Sequence, residues 1–333
     1  MPYTSINFNK KKILITGGAG FIGSNLAFYF QDNFPNSNIV IFDCFRNEAK
    51  FSNGNLKSLG DFKNLIGFKG EIICGNINSK DDLSLLYKYK FDYIFHQAAI
   101  SDTLVSDQEY IMKTNVNSFY DILEIAKKQN SALIYASSAA TYGNSPSPQT
   151  IGHENPLNPY GFSKYAMDQI ASKFIKKNPK MHIIGLRYFN VYGSREFYKG
   201  STSSMVIQLG HQILKGKSPR LFNKSKNIFR DFINIEDVIQ ANVKACISTR
   251  SNVYNIGTGI PRSFQDISDI LQKELGTNYE TDYFSNPHTS YQSHTQADIQ
   301  SSNEAFNFNP VITLELGIKN YMPEIKRLYN EIY

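Results

Sequence analysis

Tyr160 and Lys164 stand four residues apart in Tyr160-Gly161-Phe162-Ser163-Lys164, a spacing that puts both on one face of a helix. A phenol ordinarily gives up its proton near pH 10. An ammonium and a cofactor ribose beside it stabilise the tyrosinate and bring it into use as an acid and base near neutral pH. The same spacing also occurs in ordinary surface pairs, so the motif needs company. Upstream, Ala136-Ser137-Ser138-Ala139-Ala140-Thr141-Tyr142-Gly143 follows an apolar run. From a strand end, Ser138 can hold a substrate oxygen while Tyr160 moves its proton. Ser137 is the alternative, turned into the core.

A second constellation lies near the start. Gly17-Gly18-Ala19-Gly20-Phe21-Ile22-Gly23 follows the apolar run Ile13–Thr16 and opens a helical pattern. Glycines at 17, 20 and 23 allow a tight turn, close approach of backbone to a pyrophosphate, and close helix packing. A strand before, a helix after and an acidic residue about 20 positions on make this a dinucleotide-binding turn. That acidic residue is Asp43, whose carboxylate suits a ribose 2′-hydroxyl. Arg46 and Lys50 follow and reverse the local charge, which favours NADP over NAD through the 2′-phosphate; as solvated loop cations they would do neither.

These groups need a scaffold. Short apolar runs at 13–16, 39–42, 71–74, 93–96, 132–136 and 182–186 alternate with helical stretches such as Ser24–Phe30 and Asn117–Gln129. Continuous apolar strands separated by helices predict a parallel sheet covered on both faces, and right-handed crossovers make it a doubly wound α/β Rossmann fold. The loop Asn144–Pro159 links two catalytic elements. After Asn190 the alternation weakens. The expected division is a dinucleotide domain over 1–193, to which 231–259 returns through a helix at Val238–Thr249 and a strand at Val253–Ile256. A smaller mixed substrate domain takes 194–230 and 260–333.

Composition narrows the class. The chain has 333 residues, 41% apolar and 19% charged, with net charge +6. It can bury a large core and suits an anionic ligand, but its basic runs are too short for a nucleic-acid surface. Three scattered cysteines make a disulfide framework or zinc site improbable. The histidines lack metal-ligand spacing, so no metal is expected. With no leader pattern and no apolar run of membrane-spanning length, a soluble cytoplasmic protein is expected, with no membrane partner, as a homo-oligomer.

The glycine turn, the Ser-Ser-Ala-Ala-Thr-Tyr-Gly stretch, Tyr160–Lys164 and Arg187-Tyr188-Phe189-Asn190-Val191-Tyr192-Gly193 together resemble the extended short-chain dehydrogenase/reductase family over nearly the whole chain. A narrower resemblance is to the ADP-heptose 6-epimerases. It rests on Lys50-Phe51, Arg195-Glu196, Lys199-Gly200-Ser201, Ser218–Phe222, Phe229–Phe232 and Tyr291-Gln292 with Thr295–Asp298. The resemblance implies that Lys199 is a second acid/base beside Ser138, Tyr160 and Lys164. It implies that Phe21, Ile22, Asp43, Cys44, Lys50, Gln97, Ala98, Ala99, Ile100, Ser101, Asn115, Lys164 and Val191 line the cofactor. It implies a sugar nucleotide of the ADP-heptose type held by Asn190, Ser201, Phe222, Asn223, Lys224, Ser225, Arg230 and Tyr291.

Two departures concern the substrate: Gln208 stands where these epimerases often have His, and Phe222-Asn223-Lys224-Ser225 replaces a Phe-Glu-Gly-Ser type loop. By residue type alone Lys199 reads as a solvent-exposed loop lysine. Arg230 is the better anion ligand on chemistry, its planar fork suiting phosphate, or else it pairs internally with Asp231 or Asp237. The expected reaction is epimerisation by transient oxidation, which serves lipopolysaccharide precursor synthesis. The competing readings are a UDP-, GDP- or dTDP-sugar epimerase or dehydratase, and a non-catalytic NADP-binding sensor. A dehydratase carries Asp-Glu where Ala139-Ala140 stand, and the complete Ser138/Tyr160/Lys164 set weighs against a sensor.

Overall fold

The structure, a computed structural model, describes residues 3–286 and 292–332. The elements run β1 (Lys12–Thr16), α1 (Phe21–Asn33), β2 (Asn38–Asp43), β3 (Glu71–Cys74), α2 (Lys80–Ser84), β4 (Tyr93–His96), α3 (Gln108–Ile111), α4 (Ser118–Gln129), β5 (Ala132–Ser138) and α5 (Pro159–Lys177). There follow β6 (Ile183–Tyr188), β7 (Asn190–Tyr192), α6 (Met205–Leu214), β8 (Arg220–Phe222), β9 (Phe229–Asn234), α7 (Ile235–Ala245), β10 (Val253–Ile256) and β11 (Pro261–Ser263). The chain ends with α8 (Phe264–Leu275), β12 (Asp282–Phe284), α9 (Gln300–Phe306) and α10 (Leu314–Ile332).

Seven strands form one sheet in the order β10-β6-β5-β4-β1-β2-β3, with every neighbouring pair parallel. The doubly wound α/β expectation holds, as does the return of Val253–Ile256 to the sheet. The chain builds outward from β1 to β3, then crosses back to β4. This places a crevice beyond the carboxyl ends of β1 and β4, where such sheets receive ligands. Smaller sheets, β11-β9-β7 and β12-β8, lie after residue 189.

The strands read as unbroken apolar runs because both faces are covered. Leu26 and Phe30 of α1 and Val238 and Ile239 of α7 pack with Ile13, Ile15 and Phe95 on one face. Phe119, Ile122 and Leu123 of α4 and Met167 of α5 pack with Leu14, Ile94 and Leu133 on the other. Each such side chain contributes about 1.5–3 kcal/mol by leaving water. A third core joins α6, α8 and α10 through Leu209, Leu271 and Ile325.

Helix ends differ from the sequence expectation for physical reasons. Helix α1 starts at Phe21 because Gly20, in extended conformation, serves as its N-cap. Helix α7 starts earlier, at Ile235, where the Asn234 side chain accepts from Glu236 N. It stops at Ala245, and Ser248 Oγ then accepts from Arg250 N as the chain turns into β10. A π-helical turn over Met112–Asn117 precedes α4, a feature that re-aims side chains at functional sites.

Ile325, fully buried, reports on the third core by itself. Ile325→Ala should lower stability by about 2–5 kcal/mol, read from urea unfolding. Dinucleotide affinity should stay unchanged, because the residue belongs to a different core from β1 and α1. A loss of affinity in the folded variant would refute that separation.

Candidate active site

The carboxyl ends of the central strands open into a cleft of about 620 Å³. At its floor, Gly17 has φ +70°, and a Cβ there would fall 2.6 Å from Ala98 N at the end of β4. At Gly23 a Cβ would come within 2.2 Å of Gly17 O. Glycine is needed at both places, the first for its backbone angle and both for close packing. Helix α1 has no side-chain cap and no acid in its first turn, so its free N–H groups and positive dipole end face the cleft. This cradle fits the pyrophosphate of a dinucleotide.

Most residues expected around the cofactor line this cleft. Gly17, Gly20, Phe21, Ile22, Gly23, Asp43, Cys44, Gln97, Ala98, Ala99, Ile100, Ser101, Tyr160, Lys164 and Val191 all do. Asp43 is bound by its own loops: Oδ2 accepts from Ala19 N at 2.9 Å and Oδ1 from Phe45 N at 2.8 Å. Burial raises its pKa, and these two N–H groups pull it back.

Three residues expected at the cofactor do not line the cleft. Arg46 does not line the cleft. Its Nε pairs with Asp61 at 3.1 Å and its Nη2 donates to the Tyr198 carbonyl, so Arg46 is committed elsewhere. Lys50 is exposed and also lies outside the lining. Asn115 is fully buried. Its Oδ1 accepts from Ile100 N at 2.8 Å, and its Nδ2 donates to Ile100 O at 3.0 Å and Ser163 Oγ at 2.9 Å. It therefore positions the wall without forming its surface. Between β2 and β3 the cation that lines the cleft is Lys57, its Nζ 4.5 Å from the Tyr110 ring centroid. No sequence motif marked it.

On the opposite side, alternation along β5 separates the two serines. Ser137 Oγ donates to Asp168 at 2.9 Å in the interior. Ser138 lines the cleft beside the Tyr160 phenol and accepts from Ala140 N at 3.1 Å. Helix α5 presents Tyr160 because Asn158 caps it, accepting from Gly161 N at 2.8 Å, and Pro159 sits at its first turn. The Lys164 ammonium donates to the Ala136 carbonyl at 2.8 Å. Burial raises the Tyr160 phenol, and only Ser138 pulls it down. The protein groups by themselves therefore do not produce the lowered phenol pKa that the spacing suggests.

Behind this face lies a buried network that sequence reading passed over. Asp168 accepts from Tyr135 Oη and Ser137 Oγ, each at 2.9 Å, and pairs with Arg187 at 2.9 Å. Arg187 also meets Glu154 at 2.5 Å. Asp168 stands four residues after Lys164, and that helical spacing was the available clue.

Lys199 corrects the reading from residue type. It is half-buried and lines the cleft, its Nζ 5.6 Å from the Phe21 ring centroid. Burial lowers its pKa, with Glu196 and Asp102 pulling it back up. Glu196, fully buried, shapes the loop carrying it. Its carboxylate accepts from Gly193 N at 3.2 Å, Ser204 Oγ at 2.7 Å and Ser204 N at 2.7 Å.

The substrate expectations divide. Ser138, Asn190 and Lys199 line the cleft, whereas Ser201, Gln208, Phe222, Asn223, Lys224, Ser225 and Arg230 do not. Ser201 donates to Asn55 Oδ1, and Gln208 donates to the Ser203 carbonyl, each at 2.7 Å. Phe222 packs on Phe284. Asn223 N donates to the Phe284 carbonyl at 2.8 Å, Lys224 has φ +63°, and Ser225 is buried. Arg230 was expected as an anion fork or an ion-pair partner of Asp231 or Asp237. Its Nη1 donates to Phe229 O at 2.8 Å and its Nη2 to Gln292 O at 2.5 Å. Asp231 accepts from Thr258 N, Gly259 N and Ala297 N, and Asp237 from Val311 N and Ile312 N. Tyr291 lies outside the described residues. Phe264, which sequence reading did not single out, lines the cleft together with Phe232.

Burial pushes the Lys164 ammonium down to about 8, and Asp168 pulls it partly back. An unfolded lysine holds its proton to about pH 10.4. Between about pH 8 and 10 the unfolded chain therefore binds a proton that the folded chain has shed, so stability rises with pH across that window. The stability of the protein minus that of Lys164→Met should climb by roughly 2–3 kcal/mol from pH 8 to 10, measured by urea unfolding. A flat difference would mean that the buried ammonium carries no such penalty.

The comparisons with known proteins agree with this geometry. Residues 13–257 match the model of the NAD dependent epimerase/dehydratase family. An ADP-L-glycero-D-manno-heptose-6-epimerase of Brachyspira hyodysenteriae is 35% identical over 322 residues, covering 95% of this chain and 98% of the relative. The crystal structure of the Helicobacter pylori ADP-L-glycero-D-manno-heptose-6-epimerase is 48% identical with a TM-score of 0.89, covering 98% of this chain and 99% of that one. A UDP-glucuronic acid 4-epimerase from Bacillus cereus, solved with UDP-glucuronic acid and NAD, is 27% identical with a TM-score of 0.82, covering 96% and 100%. A strand-glycine-helix cradle, a Tyr-Lys pair beside a strand-end serine, and this breadth of match lead to one conclusion: the chain belongs to the NAD dependent epimerase/dehydratase family.

Proposed function

We propose that this chain interconverts the two C6 epimers of ADP-glycero-D-manno-heptose, using NADP held in the cleft, and so supplies a precursor of lipopolysaccharide core. The observation that carries this reading is that Tyr160 on α5 and Lys199 on the loop after β7 line one cleft, together with Ser138. Two proton-transfer groups on separate elements suit a substrate that must react in two orientations. The names of the Brachyspira and Helicobacter relatives support the heptose. The division of labour we propose assigns 1–193 with 231–259 to the dinucleotide, and 194–230 with 260–333 to the sugar nucleotide.

When bound, the nicotinamide supplies the redox chemistry, accepting a hydride from the sugar carbon and returning it to the other face of the planar carbonyl. Tyr160 takes the hydroxyl proton in one orientation, and Ser138 donates a hydrogen bond to the same oxygen. Lys199 exchanges the proton in the other orientation. Its lowered pKa increases the neutral share of the amine that can act as a base. Lys164 anchors to Ala136 O and presents positive charge toward the tyrosine side of the cleft. Preference for NADP is assigned to Lys57, the cation lining the cleft on the Asp43 side, in place of Arg46 and Lys50.

Incubation of the purified protein with ADP-D-glycero-D-manno-heptose, without added cofactor, should yield the L-glycero epimer by NMR, and UDP-glucose should not turn over. Tyr160→Phe should lower turnover roughly 100- to 10,000-fold with the fold intact. Lys199→Met should also impair epimerisation, with the opposite defect when aldehyde and alcohol half-substrates are mixed. Identical defects in the two variants would leave Tyr160 as the only acid/base. For the cofactor, Lys57→Ala should reduce the ratio of NADP to NAD affinity by roughly tenfold or more, measured by titration. An unchanged ratio would remove Lys57 from the 2′-phosphate.

A further inference from the structure

Between β2 and β3 the chain makes a long excursion before re-entering the sheet. Residues 45–60 of it run along the cleft, which Phe45, Phe51, Leu56 and Lys57 line. Three hydrogen bonds join this segment to two other loops. Asp102, which directly follows the Gln97–Ser101 wall, is 7% exposed and lines the cleft. Its Oδ2 accepts from Asn53 Nδ2 at 3.0 Å and from Asn55 Nδ2 at 2.7 Å. The Asn55 Oδ1 in turn accepts from Ser201 Oγ at 2.7 Å, two residues beyond Lys199.

The other oxygen of Asp102 accepts from Leu104 N at 2.8 Å, which fixes the carboxylate on its own loop. Phe51, 6% exposed, packs with Ile100, Val105 and Ile111 beneath the same segment. Arg46 adds a tie to Asp61 and the Tyr198 carbonyl at the other end. The polar links span 47 and 146 residues of sequence, so they are not the local turns that asparagines make with their own backbone. Bonds to a shielded carboxylate are also stronger than those between neutral groups.

We propose that Asp102 is a positioning residue: through Asn53 and Asn55 it straps the 45–60 segment over the cofactor cleft, and through Ser201 it couples that strap to the loop carrying Lys199. The strap holds the dinucleotide between turnovers, and its release requires the Asp102–Asn55–Ser201 chain to break. An epimerase returns its hydride to the same substrate, so each turnover restores the starting cofactor and a slow exit costs it nothing. The inference rests on the dinucleotide reading above.

The test is the rate at which NADP leaves the folded protein. Protein loaded with NADP is diluted, and bound NADP is followed by rapid filtration and cofactor assay. Asn55→Ala removes both the carboxylate bond and the Ser201 bond from an exposed loop, and release should quicken by roughly ten- to a hundredfold. Asp102→Asn should do the same, and Ser201→Ala, which cuts only the tie to the Lys199 loop, should show a smaller increase. The melting temperature without cofactor should stay close to that of the parent in Asn55→Ala. If it falls, Ser201→Ala decides, because it leaves the Asp102 contacts in place. Unchanged release in Asn55→Ala and Ser201→Ala overturns the strap while leaving the dinucleotide reading intact. A parent protein that fails to retain NADP overturns that reading first.

Discussion

The buried pairing of Asp168 with Arg187 is the interaction around which the catalytic face is organised. Two charges taken out of water are tolerated only if each finds partners, and losing one partner of such a pair costs about 3–5 kcal/mol. Here the carboxylate of α5 is met by Arg187 from β6 and by two hydroxyls from β5, Tyr135 and Ser137. Glu154, from the loop that leads into α5, completes the charge balance at Arg187. Two strands, a helix and a loop are therefore locked in a single register. Because Ser137 is held inward, strand alternation turns Ser138 outward. Because Asp168 sits one turn beyond Lys164, the same bonds fix how far Lys164 and Tyr160 reach into the cleft.

The cleft is assembled by loops leaving separate carboxyl ends of one parallel sheet. The turn after β1 offers backbone N–H groups, the loop after β4 supplies the wall, and the ends of β5 and α5 supply the Ser138 and Tyr160 hydroxyls. The loop after β7, folded around the buried Glu196 carboxylate, brings Lys199 to the same space. Such a design keeps rigid groups on strands and helices and leaves the longer segments to close over the ligand. Positive charge is distributed around the cavity at Lys57, Lys164 and Lys199, which suits a phosphate-bearing cofactor.

Residues carrying single charges were the hardest to place from their order. Arg46 and Lys50 follow Asp43 closely, which suggested a 2′-phosphate site; in the fold Arg46 pairs with Asp61, and Lys50 is exposed between the cleft-lining Ala49 and Phe51. The planar fork of Arg230 suits an anion, and in the fold two of its N–H groups donate to the carbonyls of Phe229 and Gln292. A cation has no directional imprint on sequence. Its partner is whichever acceptor the fold brings near, and that acceptor can be any distance away along the chain. Asn115 shows the same limit, because its π-helical turn aims the amide at the Ile100 peptide behind the cleft surface.

What the sequence determined by itself is whatever depends on local periodicity and backbone freedom. Unbroken apolar runs between helical stretches specify a parallel sheet with two covered faces. Glycines at 17 and 23 specify a turn that no larger residue can make, and a four-residue interval specifies that Tyr160 and Lys164 share a helix face. What only the tertiary structure decided is which distant groups meet: Asp168 with Arg187, Glu196 with the ends of the Lys199 loop, Asp102 with Asn55 and Ser201. Those encounters are set by how loops from different strands pack across one sheet edge. Charges and hydrogen bonds act over a few ångströms of space irrespective of separation along the chain, so no interval in the sequence records them.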